Sequence, residues 1–372
     1  MNKIPVSEPL IGEQEEALVL DCLRSGWISS EGKYVKEFEK KCARYCSMSA
    51  GISVNAGTAA LQVAVACLPI EKGDEIIMPA FTIISCATAI IEAGAKPVLV
   101  DCNLDTWTMN TEEIEAKITK KTKAIMVVHI YGHPVDMQPI AELAEKYNLY
   151  VIEDAAEAHG AEYKKEKCGG LSDISILSFY ANKLVTTGEG GMILTSNSKF
   201  EERARSLINL CFKPEKRFYH TEIGHNYRMS NIQAAIGLAQ LEKLDIFVNR
   251  KREMAELYNN QLSELPIQLP TEKKWAKNIY WMYGIVLNKE CDLTRNDFME
   301  ALNKKGIESR PFFIGMHEQP VFKNMGLFIG ENYPVCEYIS KKGLYLPSGQ
   351  AITNSQIQYI SDAMHEIFSS FH

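Results

Sequence analysis

Short runs of Val, Ile and Leu recur through the first two thirds of the chain. They alternate with stretches whose apolar residues return every three or four positions. The runs at Glu75–Met78, Pro97–Asp101, Ala124–Ile130, Tyr150–Asp154, Ile174–Phe179 and Met192–Thr195 are nearly continuous, the pattern of strands covered on both faces. Between them, Ala59–Cys67, Ile84–Ala93, Thr111–Ile118, Met137–Tyr147 and Lys199–Leu207 carry helical periodicity. This alternation predicts an α/β architecture with a mainly parallel sheet. The most apolar stretch, Phe81 to Ala95, contains Thr82, Ser85, Thr88 and Glu92. It reads as a buried helix, and no run of about 18 apolar residues is long enough to span a membrane.

A longer helical pattern follows, from about Ile232 to Leu265, and stops near Pro266 and Pro270. A length of 372 residues suits two domains. The boundary is expected near residue 250, dividing a large domain (1–250, with a short N-terminal arm) from a small one (251–372). In the latter, Trp281–Leu287 reads as a strand and Thr294–Lys304 as a helix, which predicts a smaller α+β unit.

Composition narrows the function. Apolar residues make up 46% and charged residues 23%, enough to build a core without staples. Net charge is −7, from 40 basic and 47 acidic residues, so a general nucleic-acid binder is not expected. The 10 cysteines are scattered and form no CxxC pair. They read as reduced, buried thiols of a cytoplasmic protein, and no structural metal is expected. The first residues lack the apolar segment of a secretory signal.

Four short segments carry candidate chemistry. In Asn55-Ala56-Gly57-Thr58, a small-residue turn leads into a helix, so free N–H groups and the Thr58 hydroxyl either face an anion or only cap the turn. In Val151–Gly160, an apolar strand ends in Asp154. Ligands in open α/β sheets lie beyond the carboxyl ends of strands, but an Asp there also serves as a helix cap. In Ser178–Gly191, another strand runs into a glycine-rich loop carrying Lys183. This is a surface lysine or, if desolvated, a nucleophilic amine. The glycines match neither a dinucleotide fingerprint nor a P-loop. In Gly224–Asn231, Ser230 or Asn231 caps the long helix, while Asn226 and Arg228 are not explained by capping.

Taken together, an anion cradle, a strand-end Asp and a strand-end Lys 29 residues later suggest pyridoxal 5′-phosphate (PLP) chemistry. That cofactor needs an amine for its aldehyde, a carboxylate for its pyridine nitrogen and donors for its phosphate.

Asn55–Thr58, Glu153–Glu157, Ser178–Lys183, Thr187–Gly191 and Asn226–Asn231 resemble the DegT/DnrJ/EryC1/StrS sugar aminotransferases, in order and over nearly the whole chain. The resemblance implies the PLP-dependent type I (aspartate aminotransferase-like) fold. It implies that Lys183 bonds PLP and shuttles a proton, that Asp154 pairs with the ring nitrogen, and that Glu157 meets the ring hydroxyl. Gly57, Thr58 and Ser178 would bind phosphate, and Asn226 the phosphate of a neighbouring subunit, which implies a homodimer with shared sites. Ile83 stands where the family usually has an aromatic residue on the cofactor face, so either Ile83 packs there or Phe81 shifts in. Arg310 and His317 fall near the expected substrate.

Further matches at Lys123–Met126, His129–Pro134, Ile236–Leu241, Tyr280–Met282 and Arg310-Pro311 resemble members that aminate GDP-4-keto-6-deoxymannose, with L-glutamate as donor. UDP- or dTDP-linked 4-keto-6-deoxy sugars are the alternative substrates. A PLP-dependent sugar dehydratase is the alternative reaction, but related dehydratases carry His at the position of Lys183. The Tyr280–Tyr283 segment reads as small-domain core.

Overall fold

The structure, a computed structural model, describes residues 3–370 apart from Pro214 and Arg217. The central sheet is built from β1 (Ala50–Val54), β2 (Glu75–Pro79), β3 (Lys96–Val100), β4 (Thr122–Val128), β5 (Tyr150–Asp154), β8 (Ile174–Ser178) and β9 (Gly191–Thr195). Two short strands, β6 (Glu162–Tyr163) and β7 (Glu166–Lys167), lie between β5 and β8 in sequence. The strand order is β1-β9-β8-β5-β4-β2-β3. All run parallel except β9, which is antiparallel to both neighbours. The expected α/β sheet is therefore present, and its predicted strands fall within two residues of those observed.

β1 was not expected. Its sequence Ala-Gly-Ile-Ser-Val has little strand propensity, and its five residues pair fully with β9 at the sheet edge. Gly51 is required there, because a Cβ would sit 2.6 Å from the Glu39 carbonyl oxygen.

Two helical expectations are corrected. In Phe81–Ala95, only Ile84–Glu92 is helical. The Ala80 N–H still bonds the Val100 carbonyl at 2.8 Å, so the chain is committed to the sheet as it leaves β2. Residues 81–83 then form a connecting loop. The pattern from Ile232 to Leu265 is two helices, Asn231–Glu242 and Leu244–Leu262. The Lys243 N–H turns back to the Gln240 carbonyl at 3.0 Å, tightening the last turn. Its Nζ is held by both Glu15 oxygens at 2.8 Å. Ser230 is the cap of the first helix, in a reciprocal capping box with Gln233.

Helices α1 (Glu13–Ser25), α2 (Lys33–Tyr45), α3 (Gly57–Cys67) and α4 (Ile84–Glu92) precede β3. The largest core cluster includes the inward residues of α2, α3 and the central strands, such as Phe38, Val63, Met78, Met126 and Ile176. A second cluster gathers Tyr258, Tyr283, Phe298, Leu344 and Ile360. It lies against the sheet β10 (Ile267–Gln268), β12 (Tyr283–Leu287), β14 (Gly343–Leu346), β13 (Arg310–Pro311). A third small sheet joins β11 (Ala276–Lys277) to β6 and β7. Helix Leu244–Leu262 contributes Phe247 and Val248 to the first core and Met254, Tyr258 and Leu262 to the second. Among the described residues, no helix is long and apolar enough to cross a membrane.

Candidate active site

Asp154 is the last residue of β5 and is 2% exposed. No helix follows, so it caps none. Its Oδ1 accepts the Ala156 N–H at 3.0 Å, and its Oδ2 accepts the Cys86 thiol at 3.2 Å. Burial raises the carboxyl's proton affinity, while the two donors and the Lys183 charge oppose that rise.

β8 ends at Ser178, and the following loop is tied back on itself. The Lys183 N–H bonds the Tyr180 carbonyl at 2.8 Å, and the Thr187 N–H the Phe179 carbonyl at 2.9 Å. These bonds turn the Lys183 side chain inward, to 10% exposure. Its Nζ lies 3.5 Å from Glu157 Oε1 and 3.5 Å from the centroid of the Trp281 ring. Desolvation depresses the amine's proton affinity, and Glu157 and Asp154 hold it up. Glu157 itself is pushed up by burial, and its Oε2 accepts the Tyr131 N–H at 2.8 Å.

α3 opens at Gly57, after an Ala56 cap that offers no side-chain acceptor. The first N–H groups of this 11-residue helix are therefore left for a ligand or solvent. A Cβ on Gly57 would fall 2.7 Å from Ser178 Cβ, so only glycine lets the helix start approach β8 this closely. Thr58 Oγ1 shares a hydrogen bond of 2.9 Å with Ser85 Oγ.

Gly57, Thr58, Ile83, Asp154, Glu157, Ser178 and Lys183 all line one cavity of about 260 Å³. It is somewhat smaller than the roughly 300–1,000 Å³ of typical ligand pockets. One buried amine, one buried carboxylate and an uncapped helix start with two hydroxyls are the donor set PLP requires, so the residues present fit that cofactor. Ile83 is in the wall. Phe81 is fully buried against Tyr131, Phe312 and Phe313 and is not.

Three expected residues lie outside this wall. Asn226 is exposed and bridges to Asn209. Arg310 is exposed on β13 and bonded to Glu308 at 2.8 Å, though it pairs in register with the wall residue Tyr345. His317 is buried with its Nε2 3.2 Å from Glu337 and its ring against Tyr333. The Arg310 and His317 side chains are thus committed to partners on their own chain, while the Asn226 bridge is made by its backbone.

Sequence reasoning missed Leu61, Ser85, Tyr180, Asn182, Phe313 and Tyr345 in the wall. Ser85, a hydroxyl inside an apolar run, was a usable signal. Trp281 was read as core; it is 7% exposed and also part of the wall. The trio His129, Glu153 and Cys168 is compact enough to suggest a metal. Hydrogen bonds already occupy its carboxylate and imidazole: Glu153 accepts from the Gly169 and Leu171 N–H groups and the Ser172 hydroxyl, and pairs with His129 at 2.9 Å.

The DegT/DnrJ/EryC1/StrS aminotransferase family model matches residues 9–365. The chain belongs to that family. GDP-perosamine synthase of Escherichia coli O157:H7 is 42% identical over 369 residues, covering 99% of this chain and 100% of the relative. The aminotransferase TlmJ from Streptoalloteichus hindustanus superimposes with a TM-score of 0.92 at 28% identity, over 100% of both chains. A Streptococcus pneumoniae protein assigned as a sugar aminotransferase, solved in its PLP-form, gives 0.92 at 26% identity over 99% of each chain. Like its relatives, this member of the family is a PLP-dependent aminotransferase of type I fold.

Proposed function

We propose that this aminotransferase moves the amino group of L-glutamate to C4 of a 4-keto-6-deoxy nucleotide sugar, converting GDP-4-keto-6-deoxymannose to GDP-perosamine. One observation carries the reading: the Lys183 amine and the Asp154 carboxylate open onto a single cavity beside the α3 start. The full-length likeness to GDP-perosamine synthase supports the choice of acceptor.

Bound PLP supplies an aldehyde carbon that receives nitrogen and a ring that takes up the electron pair of a broken Cα–H bond. Lys183 is the amine that would hold that carbon. Released, its neutral Nζ takes the proton from Cα of glutamate and returns one to C4 of the sugar. Desolvation favours the neutral amine that this step requires. Asp154 would face the ring nitrogen as an anion and hold a proton there, and Glu157 would accept at the ring hydroxyl. Gly57, Thr58 and Ser178 would bind the phosphate, and Ile83 would cover one apolar face.

Asn226 is surplus to its own cavity and exposed, which supports its reaching the site of a second copy in a homodimer. The apolar side chains of Leu20, Leu23, Trp27 and Ile28 on and after α1 are exposed in the single chain. Arg310 would meet an anionic group of the nucleotide, a role that its register with the wall residue Tyr345 supports. His317 acts on the substrate only if its contact with Glu337 opens. The same reading places the enzyme in the cytoplasm. It divides the chain into 1–250 and 251–372, and the separate core around Tyr258 and Tyr283 supports that division.

The test is incubation with PLP, glutamate and GDP-, UDP- and dTDP-linked 4-keto-6-deoxy sugars, read by mass spectrometry. Replacement of carbonyl oxygen by an amine on the GDP sugar is expected. An aminated UDP or dTDP sugar alone would move the substrate assignment. Loss of a hydroxyl would show a dehydratase.

A further inference from the structure

Trp281 arrives at the cavity from a segment nearly 100 residues after Lys183, and it is fixed at both ends. Its Nε1–H donates to the Asn182 carbonyl at 2.8 Å, one residue before the lysine. Its own carbonyl accepts from Lys251 Nζ at 2.9 Å. Lys251 is itself buried, on helix Leu244–Leu262, and also donates to the Ser348 carbonyl. The backbone under the indole is therefore anchored to Lys251, and the ring cannot swing away without breaking its bond to the Asn182 carbonyl. Its face lies 3.5 Å from Lys183 Nζ, well inside the roughly 6 Å limit of cation–π attraction.

We infer that the Trp281 indole is a fixed seat for Lys183, holding its Nζ at the cavity wall when the amine is not bonded to cofactor and gripping it most strongly when it carries a proton. This deepens the proposed function, because the lysine must leave and recapture the cofactor carbon in each half of an amino transfer. A free four-carbon side chain would otherwise lose its rotamer freedom each time it returned to one geometry. The seat keeps that geometry between the two events.

The other groups facing the amine are known. Glu157 lies at 3.5 Å, and Asp154 is across the cavity. Tyr180 and Tyr345 share the cavity wall. Glu8 and Lys251 line the cleft on the other side of Lys183. His159 is held neutral, its imidazole pushed down to about 3 by burial and by the Lys183 charge. Trp281 is the aromatic face among these charges. Its attraction adds to those of Glu157 and Asp154 in favouring the ammonium.

The test uses the full-length chain freed of cofactor, without glutamate or sugar. Lys183 is labelled by trinitrobenzenesulfonate near pH 7, and its peptide is quantified by mass spectrometry. Only the neutral amine reacts, so W281L is expected to label about 3- to 10-fold faster than wild type. W281F, which keeps an aromatic face with a weaker quadrupole, is expected to fall between them and guards against misfolding of the leucine variant. Equal rates in wild type, W281F and a folded W281L would overturn the seat. Failure of the aminotransferase reading would show separately, as no aminated sugar from the unaltered holoenzyme.

Discussion

The thiol of Cys86, on α4, donates to Oδ2 of Asp154, at the end of β5, at 3.2 Å. The carboxylate thus takes one donor from its own loop and one from a helix on a different segment. A donor to the charged form favours ionisation.

C86A is expected to raise the Asp154 pKa and move the acid limb of the kcat/KM profile to higher pH, while C86S keeps the limb near wild type. The lost sulfur should also cost about 1 kcal/mol in urea unfolding. An acid limb that coincides in C86A and wild type would remove Cys86 from the site.

K183A is expected to lose amino transfer by at least about 10³-fold and to lose the visible band that glutamate bleaches in the wild type. Circular dichroism should be unchanged, because the substitution removes a buried charge rather than a core contact. A K183A protein that retains the glutamate-sensitive band would refute the assigned nucleophile.

E157Q keeps an acceptor for the Tyr131 N–H and removes the charge 3.5 Å from Lys183 Nζ. That charge raises the amine's proton affinity, so the variant should hold more neutral amine near pH 7. PLP capture by the cofactor-free chain, followed by absorbance, should be at least about 3-fold faster at pH 7. Slower capture would mean that Glu157 acts on the cofactor more than on the lysine.

Lys251 is fully buried, and desolvation pushes its ammonium down from 10.5 to about 7. The unfolded chain then binds more protons than the native one between those values, so this residue's contribution to stability rises with pH across that window. Relative to K251M, the wild type should gain about 2 kcal/mol between pH 7 and pH 9 in urea unfolding. A difference independent of pH would show that the two carbonyls hold the ammonium fully charged.

Much of the site was legible because its signals are local. Asp154 and Lys183 each end an apolar strand run, and strands of a parallel sheet deliver their carboxyl ends to one edge. The small-residue turn Asn55–Thr58 announces a helix start with free N–H groups. The rest was hidden for a physical reason. Trp281, Tyr345 and Phe313 come from strands and loops whose apolar patterns are those of any core. A wall residue and a core residue obey the same hydrophobic requirement, and only packing tells them apart.

The sequence by itself determined the alternating strands and helices, the strand-end acid and amine, and the small-residue helix start, because backbone periodicity and side-chain chemistry are written along the chain. Tertiary structure alone decided that the Trp281 ring meets Lys183, that Cys86 meets Asp154, and that His317 turns to Glu337. Those pairings join segments far apart in the chain, and they depend on close packing between elements, which no local pattern encodes.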